Sequence, residues 1–262
     1  MIPLKEHPLS EASLSKLAQL QAEVDCVGSY SEYIEKVGTK WSGSSGNKVF
    51  VEVIKALKIM MINDPHCYYC EFSAARDIEH IFPKKLYPEC TFEWENYLYV
   101  CPECNQTKGS KFAVIQNGAL VYLDKIANGH DPAFVNPRSE NPMDLIMLDL
   151  KTFYYCSYYD LGVERIRADY TIGLLKLNIR ERRGGPDPHL ITTRQRDYRD
   201  YLSWLKTYVD DKNNGKNVDT SWLMKRTNPS VWLEMIRSRK YPGFEKLDFL
   251  FNQAPELLKY PP

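Results

Sequence analysis

The 262-residue chain is long enough for one large domain or two small ones, and long enough to bury a sizeable core. A composition of 44% hydrophobic and 26% charged residues excludes a disordered chain. The 34 basic residues balance 34 acidic ones, so bulk charge gives no pull toward nucleic acid and such a partner must be argued from local features.

The opening stretch MIPLKEHPLSEASL lacks the basic head and apolar run of a signal peptide. No run of about 18 apolar residues occurs to span a bilayer, so a cytoplasmic setting without membrane contact is expected. Residues 10–24 predict a helix, with Leu14, Leu17, Leu20 and Val24 at helical spacing and Ser10 as N-cap. A second short helix is expected over 30–37, and WSGSSGN at 41–47 as a loop. The apolar stretch 48–62 predicts a third helix, stopped by Asn63-Asp64-Pro65. Residues 66–112 change character: cysteines, prolines and short apolar runs crowd together with little amphipathic period. Such a segment calls for a metal staple.

Further on, 127–142 predicts a turn-rich connection, and 145–175 predicts strands followed by a helix near 168–178. GGPDP at 184–188 is expected to break that helix. A long helix is expected over 189–211, with KNNGKN as its exit, and Asn228-Pro229 to open another through about 238. No internal repeat or low-complexity tract is present.

Seven cysteines make an awkward count for disulfides, and a chain of this length does not need them. Cys67-Tyr-Tyr-Cys70 and Cys101-Pro-Glu-Cys104 are two CxxC pairs separated by 30 residues. Two residues between cysteines let a tight turn aim both sulfurs at one ion, and two such turns complete the S4 tetrahedron of structural zinc. A thioredoxin-like redox pair would need a βαβ unit, which the pattern lacks. Cys26, Cys90 and Cys156 are left as buried or free thiols.

Between the pairs runs Asp77-Ile-Glu79-His80-Ile-Phe-Pro-Lys84. Asn96 follows in WENY, and then Asn105 and Lys108 in CNQTKG. Glu79 supplies a hard oxygen ligand and His80 a titratable base. Asn105 offers a neutral oxygen. A Mg²⁺-like or Mn²⁺-like ion suits that donor set, and His80 suits proton removal from water near neutral pH. Lys84 and Lys108 are candidate phosphate contacts.

The run CYYC…DIEHIFPK…WENYLYVCPECNQTKG resembles the zinc-stapled branch of the HNH endonucleases. The apolar helix before it, with VNPRSENPMDLI and TIGLLKLNIRERR after it, resembles more loosely the HNH proteins of Septu-type and retron-associated anti-phage systems. The resemblance implies a ββα-metal module with His80 as general base, Asn96 as the brace of the base's loop, and Glu79 and Asn105 as ligands of one divalent ion. It also implies a partner ATPase. The third motif position is often histidine and is asparagine here, which donates less charge to the ion. Strict strand alternation would put Glu79 and His80 on opposite faces. The strand must therefore end or bend at His80, or Asp77 becomes a ligand instead.

Residues 65–115 hold five Lys/Arg against seven Asp/Glu, a weak electrostatic grip for a nuclease. Residues 161–200 hold nine against six, with Arg165, Arg167, Arg180, Arg182 and Arg183 clustered; these read as a solvated face or subunit contact, or else as a backbone-gripping arm. Tyr68, Tyr69, Tyr97 and Tyr99 are expected to fill the module's core. The expected fold is α+β: a mainly helical scaffold around the zinc-stapled module, with an N-terminal helical segment at 1–64, the module at 65–115 and a C-terminal region at 116–262 that meets a partner or nucleic acid. DNA is the expected substrate. RNA cleavage by the same chemistry, and a non-catalytic zinc module, are the alternatives.

Overall fold

The computed structural model describes residues 1–25, 29–43, 47–61, 66–124, 131–223 and 227–260. Among these, no helix is long and apolar enough to cross a membrane.

Three helices open the chain: α1 (Glu11–Asp25), α2 (Tyr30–Ser42) and α3 (Lys48–Met60). Ser10 caps α1 as expected, its Oγ accepting from the Ser13 amide. The buried face of α1 differs by one residue from the expected stripe. Ser13 turns inward and donates to Glu52 at 2.6 Å, while Leu14 is 41% exposed. Helix α2 begins with a Ser29–Glu32 capping box and runs past the expected 37. Trp41 therefore ends a helix instead of opening a loop, and packing of its indole on Phe50 and Phe92 holds that last turn. Helix α3 buries Val49, Phe50, Val53, Ala56, Leu57 and Met60. Its expected stop at 63–65 and Cys26 lie outside the described residues.

The hairpin β1 (Asp77–His80) and β2 (Tyr97–Val100) is antiparallel, with Glu79 opposite Leu98 and His80 opposite Tyr97. Every residue of β2 is buried because each face meets a different core. Tyr97 and Tyr99 join the α1 and α3 core, whereas Leu98 and Val100 join a larger core that also takes residues from 133–257. The short helix α4 (Pro102–Lys108) follows directly. Tyr68, Tyr69, Tyr97 and Tyr99 are all buried, as expected for core rings.

The remainder is α+β with small sheets. β3 (Ala113–Gln116), β4 (Ala119–Tyr122) and β5 (Asp131–Pro132) form one sheet, and β6 (Ile146–Leu148) pairs with β7 (Tyr155–Ser157). Helix α5 spans Gly162–Leu174, six residues earlier than the expected start near 168. Residues 184–188 do not end a helix. They form the turn and second strand of a hairpin between β8 (Arg180–Arg182) and β9 (Gly185–Asp187), and Gly185 adopts φ +104° at the turn. Helix α6 (His189–Asn213) and α7 (Pro229–Ser238) match expectation, and α8 (Glu245–Gln253) adds a helix the pattern did not suggest.

Candidate metal centre and active site

Cys67, Cys70, Cys101 and Cys104 converge, all buried, with their sulfurs within 4.8 Å of one another. Cys70 and Cys101 Sγ are 4.0 Å apart. Zn–S bonds of about 2.3 Å in a tetrahedron place sulfurs about 3.8 Å apart, so the group could hold a zinc ion with little adjustment. The local turns explain the convergence. Glu71 N–H donates to the Cys67 carbonyl, and Glu71 sits at φ 59° to close the first turn. In the second, Cys101 caps α4, its Sγ accepting from the Cys104 amide.

One further side chain fits the group. Arg180 is buried, and its Nη2 lies 3.0 Å from Cys104 Sγ. A guanidinium this close to a sulfur is favoured where that sulfur carries negative charge, as a thiolate on a metal does. Arg180 also pairs with Glu103, and through it the β8–β9 hairpin is docked on the metal centre. The arginine cluster is accordingly no continuous free arm. Arg165 pairs with Asp169, Arg167 with Glu140, and Arg182 with Glu103 and Asp187. Cys90 and Cys156 are half-buried free thiols.

On the other side of the hairpin lies a cleft of about 330 Å³ lined by Glu79, His80, Lys84, Lys85 and Asn105, with Trp41 from α2. Strand β1 obeys alternation and stops at His80. Glu79 turns toward α4, where its Oε1 lies 2.6 Å from Lys108 Nζ. His80 turns the other way, its ring centroid 4.2 Å from that of Trp41 and 5.3 Å from that of Tyr97. Because the strand ends there, both residues still line one cleft. Asp77 shares the Glu79 face, as spacing requires, and its Oδ2 accepts from Asn105 Nδ2 at 2.9 Å.

His80 Nε2 lies 3.0 Å from the Thr91 carbonyl oxygen. A carbonyl only accepts, so Nε2 carries the proton, and in the neutral ring Nδ1 is the free acceptor. Burial, reinforced by Lys84, pushes the imidazole well below its ordinary pKa and keeps it neutral. Asn96 fastens the intervening loop. Its Oδ1 accepts from Phe82 N at 2.7 Å, and its Nδ2 donates to Phe82 O at 3.1 Å and Cys90 O at 2.8 Å.

Lys108 stands differently from its expected place at a phosphate. It is fully buried, held by Glu79 and by the His80 carbonyl at 2.7 Å, above the Phe134 ring. Burial raises the Glu79 pKa, and the Lys108 charge opposes that shift. Lys84, half-buried over the Trp41 ring at 5.1 Å, and exposed Lys85 are the cations at the cleft. Glu79 and Asn105 line the same cleft, the Glu79 carboxylate already meeting Lys108; a small divalent ion takes one or two carboxylates and keeps several waters.

Sequence reasoning missed three participants. Thr91 acts through its backbone carbonyl, which leaves no side-chain signal. Trp41 lay in a stretch taken for a loop. Arg180 meets its sulfur across 76 residues of sequence.

A comparison with known proteins adds one relative. The chain is 26% identical over 139 residues to the Septu protein PtuB of Bacillus thuringiensis, a match covering 51% of this chain. The chain thus spans about half, 45%, of that relative's length. No protein-family model matches the chain, and no solved structure does.

Proposed function

We propose that the chain is a metal-dependent, HNH-type endonuclease that hydrolyses phosphodiester bonds of DNA, and that it serves as effector of an anti-phage defence system with a partner ATPase. The observation that carries the chemistry is the tautomer of His80: its Nε2–H is held by the Thr91 carbonyl, which leaves Nδ1 as the acceptor in a ring lining the same cleft as Glu79 and Asn105. In this reading Nδ1 takes a proton from a water whose oxygen attacks phosphorus. The bond from phosphorus to the leaving ester oxygen breaks, and that oxygen is protonated from solvent. Asn96 keeps the loop from Ile81 to Glu95 tied, so that the Thr91 carbonyl stays on His80. Lys84 and Lys85 meet phosphate oxygens. A Mg²⁺ or Mn²⁺ ion bound by Glu79 and Asn105 would supply charge stabilisation at the phosphate and leaving oxygen. The four cysteines, with zinc, hold the hairpin against α4. Similarity to a Septu protein supports the defence role and the partner, as does the weak basic charge of 65–115, which leaves part of the grip to another subunit.

The test uses zinc-loaded wild type and His80→Ala with plasmid DNA and total RNA, with Mg²⁺ or without added divalent ion, with and without the ATPase. Wild type should cut DNA only with the ion. His80→Ala, folded and still zinc-loaded, should lose about 10²- to 10⁴-fold in rate, the usual contribution of a general base. Undiminished cutting by His80→Ala would remove His80 from the chemistry, and cutting of RNA alone would replace the substrate.

A further inference from the structure

Beside the cleft lies a second chamber of about 310 Å³. Trp41, Phe50 and Ile78 form its apolar walls, and Arg76, Asp77 and Asn105 bring polar groups to it. Its volume is at the small end of ligand sites, which run about 300–1,000 Å³. Trp41, Ile78 and Asn105 line both chamber and cleft, so the two spaces adjoin.

Trp41 is half-buried, and its ring neighbours meet it at interplanar angles of 86°, 67°, 47° and 53°. None of these rings is stacked flat on the indole; Lys84 Nζ lies over it at 5.1 Å and would leave it for the phosphate. Arg76 is exposed and offers donors, and Asp77, which accepts from the Asn105 amide, has a second carboxylate oxygen to offer as acceptor. A flat heteroaromatic ring with donors and acceptors on its edge matches this combination of apolar wall and polar rim, as flipped or unpaired bases match the pockets that read them.

We infer that the chamber takes one unpaired nucleobase, stacked on Trp41, while the neighbouring phosphate lies in the cleft against Lys84 and Lys85. The inference rests on the nuclease reading and narrows its substrate to single-stranded or locally unpaired nucleic acid. A base inside an intact duplex stack cannot enter such a chamber. Stacking also answers the charge deficit. With five basic against seven acidic residues over 65–115, phosphate attraction is weak, and base stacking supplies grip that does not depend on net charge.

The experiment measures fluorescence anisotropy without added divalent ion, where cutting is absent, with the full zinc-loaded chain. The probes are a short fluorescein-labelled DNA strand of mixed sequence, the same strand made wholly of abasic sites, and the corresponding duplex. Wild type should bind the base-bearing strand about tenfold or more tightly than the abasic one, and more tightly than the duplex. Trp41→Ala should erase the difference, Trp41→Phe should keep most of it, and Arg76→Gln should reduce it. Equal binding of base-bearing and abasic strands by wild type, or preference for the duplex, overturns the inference without recourse to any variant that must fold. The two readings fail separately. Ion-dependent cutting without base discrimination leaves the nuclease and removes the chamber's role. Base discrimination without cutting under any condition leaves the chamber and removes the chemistry.

Discussion

The two faces of the β1–β2 and α4 unit carry two centres built on opposite principles. The cysteine centre is closed: four like donors, all buried, with a guanidinium sealed against one of them. The cleft is open and mixed: one carboxylate, one amide and one imidazole around a space of about 330 Å³, with a buried lysine on the carboxylate. A centre with no open position serves the fold, and a centre with unlike donors lining a cleft can do chemistry. The comparison teaches that the two centres share a scaffold yet should fail in different ways when disturbed.

The largest difference should come from Cys104→Ser or from stripping zinc with a strong chelator. Structural zinc in small domains is worth about 10–16 kcal/mol of binding free energy at neutral pH, more than a typical domain's whole stability. Loss of the near-ultraviolet circular dichroism of the buried tyrosines, with zinc falling from one per chain to none, is the expected result. A protein that keeps its melting temperature without zinc would show that packing alone holds the knot.

Lys108→Met comes next and acts on the cleft side. It leaves the Glu79 carboxylate buried without its cation, which typically costs about 3–5 kcal/mol. Chemical denaturation should register that loss, while zinc content stays unchanged. Adding Glu79→Gln should restore much of the stability, because no uncompensated charge remains. If Lys108→Met is as stable as wild type, the ion pair is not the element that closes this face.

Asn96→Ala should cost less, about 2–3 kcal/mol. Three backbone groups lose a side-chain partner, but part of the loop can relax toward water. Loosening the loop should also free His80 Nε2, so ion-dependent cutting should fall together with stability. A drop in stability with full cutting would separate the brace from the base.

These contrasts bear on what the sequence could disclose. The knot was legible because CxxC spacing fixes geometry locally and needs no knowledge of the rest of the chain. Glu79, His80 and Asn105 line one cleft and Asn96 ties the loop beside it, and the fork between a strand that stops at His80 and one that continues resolves as a strand that stops. The place of Lys108 was misjudged although a signal existed. It lies four residues after Cys104, so both fall on one helical face, and the Cys104 face had to point inward. The sheet of β3, β4 and β5 left no trace, since strands of two to four residues carry too little alternation to be read. Gly-Gly-Pro at 184–186 was read as punctuation, which it is, but between two strands and not after a helix. Trp41 and Arg180 act across the chain, so only the assembled cores disclose them.

The smallest effect, and the sharpest test of the closed centre, compares two arginines on one strand. Arg180 and Arg182 are two positions apart on β8 and both pair with Glu103. Only Arg180 is buried and reaches a sulfur; the Arg182 side chain is 50% exposed. Arg182→Ala removes a solvent-screened pair and should change stability by no more than about 1 kcal/mol. Arg180→Leu keeps an apolar side chain and removes the charge, so it should leave the hairpin folded while the thiolate loses its cation. Partners of metal ligands typically contribute about 10- to 100-fold in metal affinity, and zinc transfer to a colorimetric chelator should speed up within that range for Arg180→Leu alone. Equal transfer from both variants would mean that the guanidinium merely packs on the knot. Faster transfer from Arg180→Leu would mean that a residue 76 positions beyond the last cysteine sets how firmly the metal is held.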